Sequence, residues 1–408
     1  VVAVNALYDL ILSNFILSCL FTFIFHRGMG VVNQLQAELN PLPAFLAAFP
    51  ANYEEARRNF CLAAEGERLS VDSRRHALTG PFGELLACDV VWAGPRAARR
   101  VLVLISATHG VDGFCGSAIQ TDWLSGGGPG HLPDSCAVML IHAINPWGFA
   151  WLRQVTEDGI NLNRNFIDFS SALPDDTAYS TVADDVVPAS LDAKILAQAD
   201  DHLKAFIESK TGGVAEHLLA SGQYSHPEGL FYGGSGPSWS RIVLESLVRD
   251  YDLAGRASLC IVDVRSGCGP FGYGGLSSAH SPESRAARMA RLWFGASVSE
   301  LLSVSTPHPA RYGLSDYFWH PVVGERGCML GLEFGTWPWA EVFAALRADH
   351  GLYRTSRTLS WHDPGTRVVK AAMRRAFYPD TPDWQEMVMT RGRQVIRQAL
   401  VGLSEMGI

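Results

Sequence analysis

Five short apolar runs, set apart by longer segments of helical period, constrain the fold more than any other feature of this sequence. They are "ELLACDVVWAG" (84–94), "RRVLVLISATHG" (99–110), "SCAVMLIHAINPWG" (135–148), "ASLCIVDV" (257–264) and "GCMLGLEFG" (327–335), rich in Val, Ile and Leu and bounded by Gly or Pro. Such runs are strands buried on both faces, the condition of strands inside a parallel sheet. "GSAIQTDWLSGG" between the second and third run has helical spacing, and helical segments are predicted at 191–210, 213–221, 238–250, 282–295, 339–350, 364–377 and 383–404. Strands alternating with long helices predict an α/β fold, a single domain whose mainly parallel mixed sheet is covered by helices on both faces. The stretch 31–64 also reads as mostly helical, and 266–275 as a glycine-rich loop.

No repeat, low-complexity tract or Pro/Ser linker divides the chain, so residues 29–408 read as one domain with a helical insertion at about 167–256. The 408 residues are 48 % hydrophobic, enough for a sizeable core. Thirty-three Lys and Arg against forty-one Asp and Glu give a formal charge of −8. With no basic run, nucleic acid is excluded as the expected partner. Eight cysteines without a C-x-x-C pattern suit a reducing cytoplasm. "ILSNFILSCLFTFIF" (11–25) is apolar but short, and Ser13, Asn14, Ser18 and Thr22 interrupt it, which argues against a membrane span. It also lacks the flanks of a secretory signal. Residues 1–28 are therefore expected to be an extension outside the fold.

In open α/β sheets ligands gather at the carboxyl ends of the strands, and here those ends are polar. The second run ends in "THGVDG" with His109 and Asp112, the third in "NPWG", the fourth at Arg265 and the fifth at Glu333. A His and a carboxylate three apart in a glycine turn can converge on one point, half of a zinc site. Equally, Asp112 can cap the following helix. Downstream, "NLNRNF" presents Asn163 and Arg164. A guanidinium fork can hold a carboxylate through two hydrogen bonds with a neighbouring Asn orienting it, although a surface ion pair and a turn residue account for the same letters.

Taken together, "THGVDGF", "NPWG", "NLNRNF" and "LEFGT" resemble the zinc carboxypeptidase family in order and relative spacing, over residues of about 80–340. "QYSHPEGLFYGG" (223–234) and the 266–275 loop resemble a bacterial carboxypeptidase-like subgroup of it. The resemblance implies a zinc-carboxypeptidase-like fold and a zinc-dependent hydrolase of an amide or peptide bond near a free carboxylate. It implies His109 and Asp112 as the first two zinc ligands, Asn163 and Arg164 as the grip on the substrate carboxylate, and Arg153 as a second substrate arginine. Glu333 is then the general base that deprotonates zinc-bound water.

The chain departs from the pattern where the third ligand belongs. Arg265 in "DVRSG" stands where the subgroup has His, and a guanidinium has no lone pair to offer a metal. Asp112 is a milder departure, since the family has Glu there. Three readings stay open. Arg265 pairs with Asp112 where the metal would sit; or it turns away and His226 of "YSHPEG" completes the site; or the chain is an impaired member of an active group. A non-catalytic, metal-free protein that keeps the carboxylate grip is the alternative function.

Two other readings, a serine hydrolase and nucleotide binding, find less support. A serine hydrolase of the α/β type needs G-x-S-x-G between strand and helix, which the chain lacks. "GCGPFG" (267–272) matches G-x-G-x-x-G and follows a strand, but Pro270 and "YGGLSS" open no helix to receive a pyrophosphate.

Overall fold

Eight strands form a single sheet: β1 (Val71–Thr79), β2 (Leu85–Ala93), β3 (Arg100–Ser106), β4 (Cys136–His142), β5 (Ser258–Gly267), β6 (Gly274–Ser278), β7 (Ser299–Glu300) and β8 (Gly327–Gly335). Their spatial order is β1-β2-β4-β3-β5-β8-β6-β7. The central pairs β4/β3, β3/β5 and β5/β8 are parallel, as is β6/β7, whereas β1/β2, β2/β4 and β8/β6 are antiparallel. This computed structural model describes residues 44–190, 192–210, 214–302, 311–356 and 359–405, and the expected extension 1–28 lies outside them. The chain divides into two units, Val1–Leu46 and Ala47–Ile408, and every element named here belongs to the second.

The longer helices are α1 (Tyr53–Gly66), α2 (Gly113–Ser125), α3 (Ala193–Glu208), α4 (Trp239–Asp250), α5 (Arg285–Phe294), α6 (Ser315–Val323), α7 (Trp339–Thr355), α8 (Pro364–Phe377) and α9 (Pro382–Glu405). Among the described residues, no helix is long and apolar enough to cross a membrane. Strand residues alternate between the two faces of the sheet. Leu102, Leu104, Val262, Val264 and Leu332 pack with Phe60 of α1, Phe114 and Ile119 of α2 and Trp384 and Val395 of α9. On the opposite face Val101, Val103, Ile105, Ile261 and Met329 pack with Leu244 and Leu247 of α4 and Trp319 and Val323 of α6. Helices on both faces are why the central strands read as unbroken apolar runs.

Caps set the helix ends. Asn52 Oδ1 accepts from Glu55 N at 2.9 Å at the start of α1, and Ser238 Oγ accepts from Arg241 N at 3.3 Å at the start of α4. Of the helix expected over 31–64, residues 31–43 lie outside the described residues, and the α-helix begins at Tyr53, where Pro50 and the Asn52 cap start it. Strand β1 escapes the apolar criterion. It is an antiparallel edge strand carrying Arg74, Arg75 and His76, with Asp72, Arg74 and His76 on one face half-buried and Ser73, Arg75 and Ala77 on the other exposed. The 266–275 loop is shorter than expected, since β5 continues to Gly267 and β6 begins at Gly274. This extension places Arg265 inside the β5/β8 ladder, directly beside Glu333.

Two buried polar groups tie elements together. His142 on β4 shares a 2.9 Å hydrogen bond between Nε2 and Ser117 Oγ and stacks on Phe60 with ring centroids 4.4 Å apart. Burial lowers its pKa to about 4. On α7, the buried Asp349 accepts from Arg153 Nε at 2.7 Å and Lys370 Nζ at 2.6 Å. Burial alone would raise the Asp349 pKa, but the two cations hold it at about 2.

Asp349→Ala is expected to cost about 3–5 kcal/mol in urea unfolding, because it leaves two buried cations unpaired; a loss below about 1 kcal/mol would mean that these charges reach water. Since the folded His142 pKa lies below the usual 6.5, its contribution is present above pH 6.5 and lost as pH falls through 4. Unfolding free energies measured between these pH values should fall by up to about 3 kcal/mol on its account. His142→Gln should remove that part of the slope, and an unchanged slope would refute the assignment.

Candidate functional site

The carboxyl ends of β3, β5 and β8 open on one cleft of about 560 Å³, whose walls include His109, Asn163, Arg164, Arg265, Arg311 and Glu333. The turn after β3 is held by its packing on the 148–153 segment. Val111 N donates to Arg153 O at 3.0 Å, and Gly110 (φ +58°) lies so close to Gly148 and Arg153 that a Cβ there would collide with their backbones. Within this turn His109 Nδ1 and Asp112 Oδ2 are 3.0 Å apart, and His109 N donates to Asp112 Oδ1 at 3.2 Å. Asp112 occupies the N-cap position of α2 but makes no side-chain cap bond, so its carboxylate is turned to His109 instead. Burial, then the Arg265 charge, lowers the His109 pKa to about 4, and the imidazole is neutral at pH 7. Burial raises the Asp112 carboxyl well above its ordinary range, helped by the charge of Asp263.

Arg265 pairs with Asp263 and not with Asp112. Residues two apart on a strand share a face, and Arg265 Nε and Nη2 both donate to Asp263 Oδ2, at 2.8 and 2.5 Å. Nη2 reaches Ser315 Oγ at 3.2 Å, and Thr108 Oγ1 donates to Asp263 Oδ1 at 2.7 Å. Burial opposes the charge on Arg265, but Asp263 and Asp316 outweigh it and raise the pKa. Gly331 stands beside Asp263 in the ladder, and a Cβ there would meet Arg265 Nη1 only at van der Waals distance, 3.6 Å. Next to it, Glu333 Oε1 accepts from Cys268 N at 3.1 Å. Burial raises the Glu333 pKa against the opposing charges of Arg265 and His109.

These residues do not fit a catalytic zinc. Such an ion needs three protein ligands and an open position. Here His109 and Asp112 are satisfied by each other, and the third position holds a protonated guanidinium already committed to Asp263. Among the described residues no three His, Cys, Asp or Glu side chains are grouped to hold a metal ion. His226 bonds through Nε2 to Ser180 Oγ at 3.0 Å, lies against Tyr179, and is not among the residues lining the cleft.

Another part of the wall is built from Asn163 and Arg164 in a single 3₁₀ turn, Leu162–Arg164. Asn163 Oδ1 accepts from Ser315 N at 2.9 Å, which ties this turn to α6. Arg164 is only 5 % exposed. Its Nε and Nη2 donate to Ala220 O at 3.1 and 2.6 Å, and Nη1 donates to Asn163 O. Among the described residues no carboxylate pairs with it. Burial, then the charges of Arg311 and Arg265, lowers its pKa to about 9. Arg153 stands elsewhere, bound to Asp349 with its guanidinium 3.5 Å from the Tyr353 ring centroid, and does not line the cleft.

Asp263, Ser315 and Arg311 complete the site without having been singled out from the sequence. Asp263 had a signal, its same-face position two residues before Arg265. Arg311 had none, since it lies in an irregular segment with no strand end or motif beside it.

The sequence profile of a family described as "Protein of unknown function (DUF2817)" matches residues 49–391. No curated protein matches the chain. Similar solved structures include the carboxypeptidase A from Helicoverpa armigera, at 11 % identity and a TM-score of 0.48, covering 95 % of this chain and 86 % of that one. Another is a metallo-carboxypeptidase from Burkholderia cenocepacia, at 12 % identity and a TM-score of 0.40, covering 80 % and 68 %. A third is the product-bound ectoine utilization protein EutE (DoeB) from Ruegeria pomeroyi, at 12 % identity and a TM-score of 0.36, covering 70 % and 66 %. Likeness at this level bears on neither activity nor ligand.

Proposed function

The chain belongs to the DUF2817 family, and we propose that its cleft binds, without zinc, a small peptide or acylated amino acid by the free carboxylate. The observation that carries this reading is Arg164. Its guanidinium is buried in the cleft wall with carbonyl oxygens but no carboxylate among the described residues. A buried charge without a counter-charge is costly. A ligand carboxylate removes that cost, and the neighbouring Asn163 side chain, held by Ser315, helps to orient it. The resemblance of "NLNRNF" to a carboxylate grip supports the same assignment. The seven described cysteines are all free, which supports a reducing compartment such as the cytoplasm.

The zinc-dependent hydrolase is the second reading, favoured by Glu333, which keeps the place of a general base beside Arg265 with a raised pKa. It needs a third ligand that Arg265 cannot be.

With a chelator present, N-acetyl amino acids at about a hundred times Kd are expected to stabilise the protein by about 2.7 kcal/mol in thermal unfolding. Arg164→Gln should abolish the effect, and stabilisation that appears only on adding zinc would reject the metal-free reading. Arg265→His is expected to raise bound zinc from under ~0.1 to about one equivalent per chain by elemental analysis, by restoring a lone pair at the third position. Stoichiometric zinc in the unaltered protein would overturn the proposal.

A further inference from the structure

Arg311 is a second guanidinium on the cleft wall, held beside Arg164 by a clamp of backbone contacts. Phe166 N donates to Gly313 O at 3.1 Å and Tyr312 N to Ser221 O at 2.9 Å. Tyr224 Oη donates to Arg164 O at 2.7 Å, and Tyr317 Oη to Arg311 O at 3.0 Å. Gly313 (φ +64°) sits so tightly on Arg164 that a Cβ would collide with its carbonyl group. The segment that carries Arg311 is therefore docked on the turn that carries Arg164.

The acids of the cleft are already engaged. Asp263 and Asp316 stabilise the charge of Arg265. Glu333 accepts from Cys268 N, and burial favours its neutral form. Among the described residues, no carboxylate pairs with either Arg164 or Arg311. The two differ in depth, Arg164 being buried and Arg311 exposed. Each is also a like charge near the other, and Arg311 contributes the largest charge effect on Arg164. One anion at Arg164 answers the buried charge and leaves the rim charge unanswered.

Resting on the carboxylate-binding reading above, we propose that the ligand carries two acid groups, one held by Arg164 and Asn163 in the wall and the other by Arg311 at the rim. The substrate class is then an acylated or peptide-linked acidic amino acid. N-acetyl-L-glutamate and N-acetyl-L-glutamine, equal in shape and differing by one charge, test this by calorimetric titration of the full chain with a chelator present. The glutamate compound is expected to bind roughly tenfold tighter or more, as a charge-assisted contact gives. Arg311→Gln should bring the ratio down to about twofold and Arg311→Lys should keep most of it, as expected for a rim charge. Arg311 is exposed, so neither change threatens folding. Equal affinities in the unaltered protein, or a ratio untouched by Arg311→Gln, would overturn the diacid proposal and leave the carboxylate reading standing. If neither compound binds, both fail.

Discussion

The ion pair between Arg265 and Asp263 organises the site. Both residues project from the same face of β5, so the strand itself brings them together before any tertiary contact is made. Once formed, the pair reaches outward through Thr108 after β3 and Ser315 at the start of α6. Ser315 in turn holds Asn163. The ends of two strands, the turn bearing Asn163 and Arg164 and a helix are thus joined by one buried charge pair. Such a pair specifies geometry even where its net stabilisation is small.

That pair also decides the chemistry. A fixed positive charge beside His109 helps keep the imidazole neutral, and it opposes what burial does to Glu333. In a site built for a dication, the ligands would present lone pairs to the centre. Here the centre is filled by a hydrogen-bond donor that has turned its donors onto its own strand neighbour. Among the described residues, the charges left without a carboxylate partner are positive, Arg164 buried in the wall and Arg311 exposed at the rim. On the proposed reading the site takes acids by charge placement rather than by metal chemistry.

Legibility of the fold followed burial. The five central strands were readable because helices on both faces make nearly every strand residue apolar. β1 was not, because one side of it meets water and Arg74, Arg75 and His76 are compatible with an edge. β6 hid in "GYGGLSS", where small residues allow the backbone to approach β8 and leave no apolar run to detect. α6 was missed for a different reason: its short stretch contains Pro321, which ordinarily argues against helix. For the site, the strand-end rule located His109, Asp112, Arg265 and Glu333 in one place. It could not locate Arg311, whose position depends on contacts with residues about 150 earlier in the chain, such as Phe166 and Arg164.

Sequence alone determined the α/β architecture, the polar strand ends and the absence of a lone pair at position 265, because apolar period and side-chain chemistry are local properties. Tertiary structure decided the partners. Arg153 went to Asp349, 196 residues away, Arg265 went to Asp263 rather than Asp112, and Arg311 came to stand beside Arg164. A charged side chain on a sequence announces only that it needs a partner. Which partner it finds is set by which backbones the packed core brings within a few ångströms.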